Sequence, residues 1–190
     1  SRVRDVAVTG RLDWAPLLGA NLGLSGYYGG AGQGDPNLGG VSVAIAALDA
    51  RFARAGLLLR GQLSYVYIHD AAQLNQTLSL INAAAGPVAR QLLGGYIEAG
   101  YDLLRPLRLR SGMQLAAFFR YDRTHTQLDV PEAPLGVPPR QPGLDRSAYV
   151  AGLTFRPIFE VAVKCDYAYR HTEVAGSGTQ LVDFALAYQF

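Results

Sequence analysis

The sequence predicts an all-β fold: a transmembrane antiparallel up-and-down β-barrel that occupies residues 1–190 as one domain. Three observations predict it. Apolar and polar residues alternate with period two along segment after segment, as on strands whose two faces meet different surroundings. The alternating segments run to roughly ten to fifteen residues, longer than strands of soluble sheets and suited to a tilted bilayer crossing. The connections between them are short and long in turn, the asymmetry of outer-membrane barrels with short periplasmic turns and long external loops.

The C-terminal segment states the pattern most plainly. In LVDFALAYQF, Val182, Phe184, Leu186, Tyr188 and Phe190 share one face, and Asp183, Ala185, Ala187 and Gln189 share the other. In 161–170 the first face holds Val161, Val163, Cys165, Tyr167 and Tyr169, and the second Ala162, Lys164, Asp166, Ala168 and Arg170. Segments 148–156 and 113–122 repeat it, as do 95–104, 56–69, 41–54, 20–30 and 3–15, where Val6, Val8, Leu12 and Trp14 oppose Asp5, Thr9, Arg11 and Asp13. Tight connections fall at RPIFE, RPLRLR, RAG and APLLG. External loops fall near 30–40, 70–94, 128–146 and 173–178, and the third carries Pro131, Pro134, Pro138, Pro139 and Pro142. A soluble sandwich also alternates, but the charges on the second face are too many for a second packed layer.

Composition removes other classes. Charged residues are only 17% against 49% hydrophobic, with 22 Gly and 11 Tyr, which excludes disorder and coiled coil. Mean hydropathy is +0.10, yet no stretch approaches the ~18 consecutive apolar residues of a spanning helix. The net charge of +2 is spread along the chain and forms no basic field, so nucleic acid is not an expected partner. The single Cys165 cannot form an internal disulfide, no zinc-type spacing occurs, and neither metal nor cofactor is expected.

Assigning the C-terminus to the periplasm sorts the aromatics into two belts, as at the two headgroup layers of a barrel. Trp14, Phe52, Tyr101, Phe155, Tyr188 and Phe190 fall at the periplasmic end; Tyr28, Tyr65, Tyr67, Tyr121, Tyr149, Tyr167 and Tyr169 fall toward the external end. Single-chain bacterial barrels have even strand numbers, so about nine strands read as the C-terminal part of a larger barrel of about 16 strands, incomplete at its N-terminus.

Particular segments resemble a known family. RLDWAPLLGANLGLSGYYGGAGQ (11–33), LRGQLSYVYIHDAAQLN (59–75), GGYIEAGYDLL (94–104), RPIFEVAVKCDYAY (156–169) and LVDFALAYQF are similar to the C-terminal halves of outer-membrane porins related to the phosphate-selective porins. The resemblance implies a passive pore in a Gram-negative outer membrane, often a homotrimer. It does not imply a phosphate preference, because no lysine-rich constriction is visible. Tyr188 and Phe190 match the terminal aromatic signal read by the barrel-assembly machinery, and lipid and lipopolysaccharide are the implied surroundings.

The second face gathers the candidate pore-lining residues Arg11, Asp13, Asp49, Arg51, Arg60, Glu98, Asp102, Arg120, Asp122, Arg156, Lys164, Asp166 and Arg170, with Asp5 beside them. Four opposite-charge pairs stand two apart on one strand, Arg11–Asp13, Asp49–Arg51, Arg120–Asp122 and Lys164–Asp166, forming ladders that water solvates and neighbouring strands cross-pair. These residues predict a charged lumen for passive diffusion of small hydrophilic solutes or ions. The alternative is a plugged barrel acting as a scaffold for a partner. The Ala/Leu/Gln-rich 71–94 reads as one or two short helices broken at Gly86–Pro87, either folded into the channel or capping the rim, and the Pro-rich loop as a pore cover or a contact surface.

A rim-located lipid hydrolase is a third reading. His69, His125 and His171 fall near external strand ends on the outward face with strands between them, and Ser177 sits between glycines as turn chemistry, so no catalytic constellation is expected. Cys165, on the apolar face, serves as a small hydrophobe.

Overall fold

A computed structural model describes residues 5–32, 38, 40–81, 86–107, 112–131 and 140–189. Nine strands form one sheet in sequence order: β1 (Ala7–Trp14), β2 (Ala20–Gly30), β3 (Ser42–Arg54), β4 (Leu57–Ile68), β5 (Gln91–Asp102), β6 (Gln114–Asp129), β7 (Asp145–Ile158), β8 (Val161–Thr172) and β9 (Thr179–Tyr188). Every neighbouring pair is antiparallel. The topology is up-and-down, with β1 and β9 at the two edges.

Three strands reach three or more residues beyond the alternating stretches that the sequence offers. β5 starts at Gln91 rather than 95, β6 runs on to Asp129 rather than ending at 122, and β7 starts at Asp145 rather than 148. The 70–94 and 128–146 connections are correspondingly shorter. These extensions carry Arg123, His125, Asp145 and Ser147 on the otherwise apolar face, so period-two hydropathy fades while the ladder hydrogen bonds continue.

The tight connections explain themselves locally. Between β3 and β4 only two residues turn the chain, Ala55 with φ 54° and Gly56 with φ 86°; both lie in the left-handed region that a twist-matched hairpin of this length requires. Within 71–94 one helix is described, α1 (Ala71–Ile81), rich in Ala, Leu and Gln. Buried Asn75 clamps it: Nδ2 donates to the Val88 carbonyl at 2.8 Å, and Oδ1 accepts from the Val88 N–H at 2.7 Å. Residues 82–85, just before the Gly86–Pro87 break, lie outside the described residues, as do Pro134, Pro138 and Pro139.

The sheet has almost no core. Among the described residues the buried hydrophobics are Val41, Ala71, Ala89 and Ala168, of which only Ala168 lies in a strand, and no large side chain is fully buried. Val8, Leu12, Ile97, Phe184 and Leu186 are each about two-thirds exposed or more. No helix among the described residues is long and apolar enough to cross a membrane.

The register is slanted. One cross-strand row runs Trp14, Leu22, Ala50, Gly61, Ile97, Tyr121, Tyr149, Tyr169 and Gln180. It crosses β2 two residues from that strand's start and β8 eight residues from its start. Six residues of climb at ~3.3 Å, over six strand spacings of ~4.8 Å, give a slant of about 35° between row and turn line. Barrel strands tilt by a similar angle.

Candidate functional site

Pairing places the predicted charged residues together. One row crosses the sheet as Asn21, Arg51, Arg60, Glu98, Arg120, Val150, Ala168 and Leu181. The adjacent row on the same face is Asp13, Gly23, Asp49, Gln62, Tyr96, Asp122, Ala148, Arg170 and Thr179. Arg11, Asp102, Arg156, Lys164 and Asp166 share that face by parity. The other face carries the apolar residues, with Cys165 half-buried between Leu153 and Phe184. On it Trp14, Phe52, Tyr101, Phe155 and Tyr188 stand toward the short turns, and Tyr28, Tyr65, Tyr67, Tyr121, Tyr149, Tyr167 and Tyr169 toward the opposite ends of their strands. Phe190 lies outside the described residues.

Of the four ladders expected within single strands, three form. Arg11 Nη2 meets Asp13 Oδ1 at 2.7 Å, Arg120 Nε donates to both Asp122 oxygens at 2.8 and 2.9 Å, and Lys164 Nζ meets Asp166 Oδ2 at 2.8 Å. Asp49 does not pair with Arg51. Its carboxylate instead accepts from Arg11, Nη1 to Oδ2 at 2.8 Å and Nη2 to Oδ1 at 3.1 Å. That bond skips a strand: Arg11 is on β1 and Asp49 on β3. It is open only because Gly23 lies between them on β2, where a Cβ would collide with the Arg11 guanidinium and the Asp49 carboxylate. Gly23→Val is expected to break the Arg11–Asp49 bond while leaving Arg11–Asp13 intact, which a crystal structure or cross-strand NMR contacts of the variant would report.

The remaining charges divide into tied and free. Arg60 meets Glu98 at 3.1 Å across β4 and β5. Asp102 accepts from the N–H groups of Leu104 and Leu115, bracing the β5–β6 connection. Arg120 also lies over the Tyr96 ring at 4.1 Å, and Lys164 over Phe118 at 4.9 Å. Among the described residues, Arg51, Arg156 and Arg170 make no ion pair.

A second polar group sits on the apolar face at the ends of β6, β7 and β8, above the tyrosines, and sequence alternation did not reveal it. Arg123 Nη2 donates to Asp145 Oδ2 at 2.9 Å. His125, opposite Asp145 in register, is 6% exposed, and its Nε2 lies 3.5 Å from Asp145 Oδ2. Arg140 Nη2 lies 2.7 Å from His125 Nε2 and donates to Glu173 Oε2 at 2.9 Å. Beside them a cavity of about 310 Å³ is lined by Tyr121, Ser147, Tyr149 and His171 among others. His171 stands opposite Ser147 and stacks on Tyr149, whereas the Ser147 hydroxyl lies 3.4 Å from that of Tyr121. His69, beside Tyr67, is remote from both other histidines in the strand order.

His125, Asp145 and Glu173 each offer a ligand atom within 4.8 Å of the others. Two arginines already satisfy those carboxylates and place positive charge there, so this arrangement favours a salt-bridge network over a cation site. Ser177 is turn chemistry: its Oγ accepts from the Thr172 N–H at 2.8 Å and donates to the Thr172 carbonyl at 3.2 Å. Nearby, hydrogen bonding to Asp129 holds the Arg90 guanidinium above its usual range.

Comparison with protein-family models, curated proteins and solved structures gives no match in any of the three. What the fold defines is therefore a class of architecture, a nine-stranded antiparallel up-and-down sheet with one charged and one apolar face.

Proposed function

We propose that this sheet is part of the wall of an outer-membrane channel of a Gram-negative bacterium, with lipid against the apolar face and water against the charged one. Small hydrophilic solutes or ions would then diffuse passively along the second face. One observation carries the reading: large apolar side chains on one face remain exposed while ion pairs and arginines without an ion pair collect on the other, and among the described residues almost no core lies on either side. In water such an apolar surface is an aggregation hazard; in a bilayer it is the outer surface of the wall. The slanted register and the tyrosines near the ends opposite the short turns support the same orientation.

Strand parity supports a larger assembly. β1 and β9 run the same way, so joining these edges directly would create a parallel seam in a sheet that is otherwise antiparallel. In our reading, further strands of a barrel of about 16 complete the wall, the C-terminal strand is the element read by the barrel-assembly machinery, and the subunits form homotrimers, as the porin resemblance implies.

The test is single-channel conductance in planar bilayers after reconstitution of the full-length protein. Stepwise, ohmic currents are the expected result. A folded, inserted protein that gives no current above background would instead support the plugged-scaffold reading, in which the ion pairs serve to staple the wall.

A further inference from the structure

The network around His125 holds a conflict that proton concentration can resolve. Arginine can only donate hydrogen bonds, so the 2.7 Å contact between Arg140 Nη2 and His125 Nε2 requires that nitrogen to be an acceptor. The imidazole is then neutral, with its proton on Nδ1. That atom is buried and has no hydrogen-bond partner, so the contact with Arg140 is what fixes the tautomer. The charged groups around the ring are Arg140 from the segment before β7, Asp145 from β7, Arg123 from β6 itself and Glu173 from beyond β8. On β5 the register partner nearest the ring is Leu93, which contributes no charge.

We infer that His125 and Arg140 form an acid-released latch that holds Arg140 and Gln141, just before β7, to the rim of the sheet. A proton on Nε2 removes the acceptor and sets two cations against each other at a distance that suits a hydrogen bond only when the imidazole is neutral. The imidazolium has an alternative partner in place, Asp145 Oδ2 at 3.5 Å, toward which it can turn. Acid therefore exchanges the Arg140–His125 tie, which joins β6 to the residues before β7, for a His125–Asp145 pair internal to the sheet. Arg140 keeps at most Glu173, which is itself about two-fifths exposed and weakly held. The residues after Arg140 remain anchored by the Gln141 N–H bond to Gln127 Oε1, by the short Pro142–Leu144 turn, and by the bonds of Thr126 Oγ1 to the Leu144 carbonyl and of Arg146 Nε to the Gly143 carbonyl, so release frees Arg140 and loosens Gln141 rather than detaching the turn. The switch is local and stands on contacts outside the charged face, so it does not depend on the channel reading.

A nitroxide label on Gln141→Cys, in a Cys165→Ser background of the full-length protein in vesicles, reads the latch directly. On acidification from about pH 8 to about pH 4, a mobile spectral component is expected to appear reversibly. His125→Gln offers an amide oxygen to Arg140 but cannot titrate, so its spectrum should stay immobile throughout; His171→Gln should keep the transition. If His125→Gln does not fold, Arg140→Gln serves instead, with the label mobile already at the higher pH and unchanged by acid. A transition retained in His125→Gln or Arg140→Gln, one abolished by His171→Gln, or none in the parent protein would overturn the latch.

Discussion

Ile97→Arg is expected to cost the folded, inserted protein about 2–4 kcal/mol, the penalty for arginine on the lipid face near the middle of a bilayer. Ile97 lies near the middle of β5, opposite Gly61 and Tyr121, and is 67% exposed. In water, replacing so exposed a residue by arginine changes stability by only about 0.5 kcal/mol either way, so the large loss appears only if lipid covers this face. Ser64→Arg is the matched control. It sits one strand away on the charged face, opposite Ala47 and Gly94, where small neighbours leave room for a long polar side chain. Urea titration of vesicle-inserted protein, followed by the heat-sensitive gel mobility of folded barrels, measures both. Equal losses, or no loss in either, would mean that the two faces do not meet different solvents.

The second large effect concerns ion selectivity. Arg51→Glu combined with Arg170→Glu is expected to move the reversal potential in a salt gradient toward cations, and further than Arg120→Gln combined with Lys164→Gln. Arg120 and Lys164 have carboxylates less than 3 Å away, so on the proposed channel reading a passing ion would meet a nearly neutral pair. Among the described residues, Arg51 and Arg170 have no such partner. A unit charge about 10 Å from an ion in water is worth about 0.4 kcal/mol, a factor of about 2 in local concentration, and each reversal changes two units. An unchanged reversal potential in the doubly reversed protein would remove the charged face from the conducting path.

How far the sequence carries can be read from particular residues. The alternation in 161–170 and 181–190 was enough to separate the faces of β8 and β9, because neighbouring residues there differ strongly in polarity. It faded at Gln91–Gly95, where leucines are consecutive, and at Arg123–Gln127 and Asp145–Ser147, where polar side chains occupy the apolar face; there only backbone pairing marks the strand. The same fading concealed the His125–Asp145–Arg140 network, whose members approach only once β6 and β7 are in register. Asp49 was assigned to Arg51 because sequence spacing sees partners on one strand. Its bond to Arg11 depends on which residue of the strand between them happens to be glycine, and that is a property of register.

That skipped-strand bond also bears on how the sheet assembles correctly. The space above Gly23 is filled by the Arg11 guanidinium and the Asp49 carboxylate. A slip of β2 by two positions, which would keep all its apolar side chains on the proper side, would bring Asn21 or Ser25 into that space and push Arg11 off Asp49. Hydropathy cannot detect an error of that size, whereas the Arg11–Asp49 bond is lost in it, so β1, β2 and β3 carry a contact that favours the native register over one their alternation would tolerate.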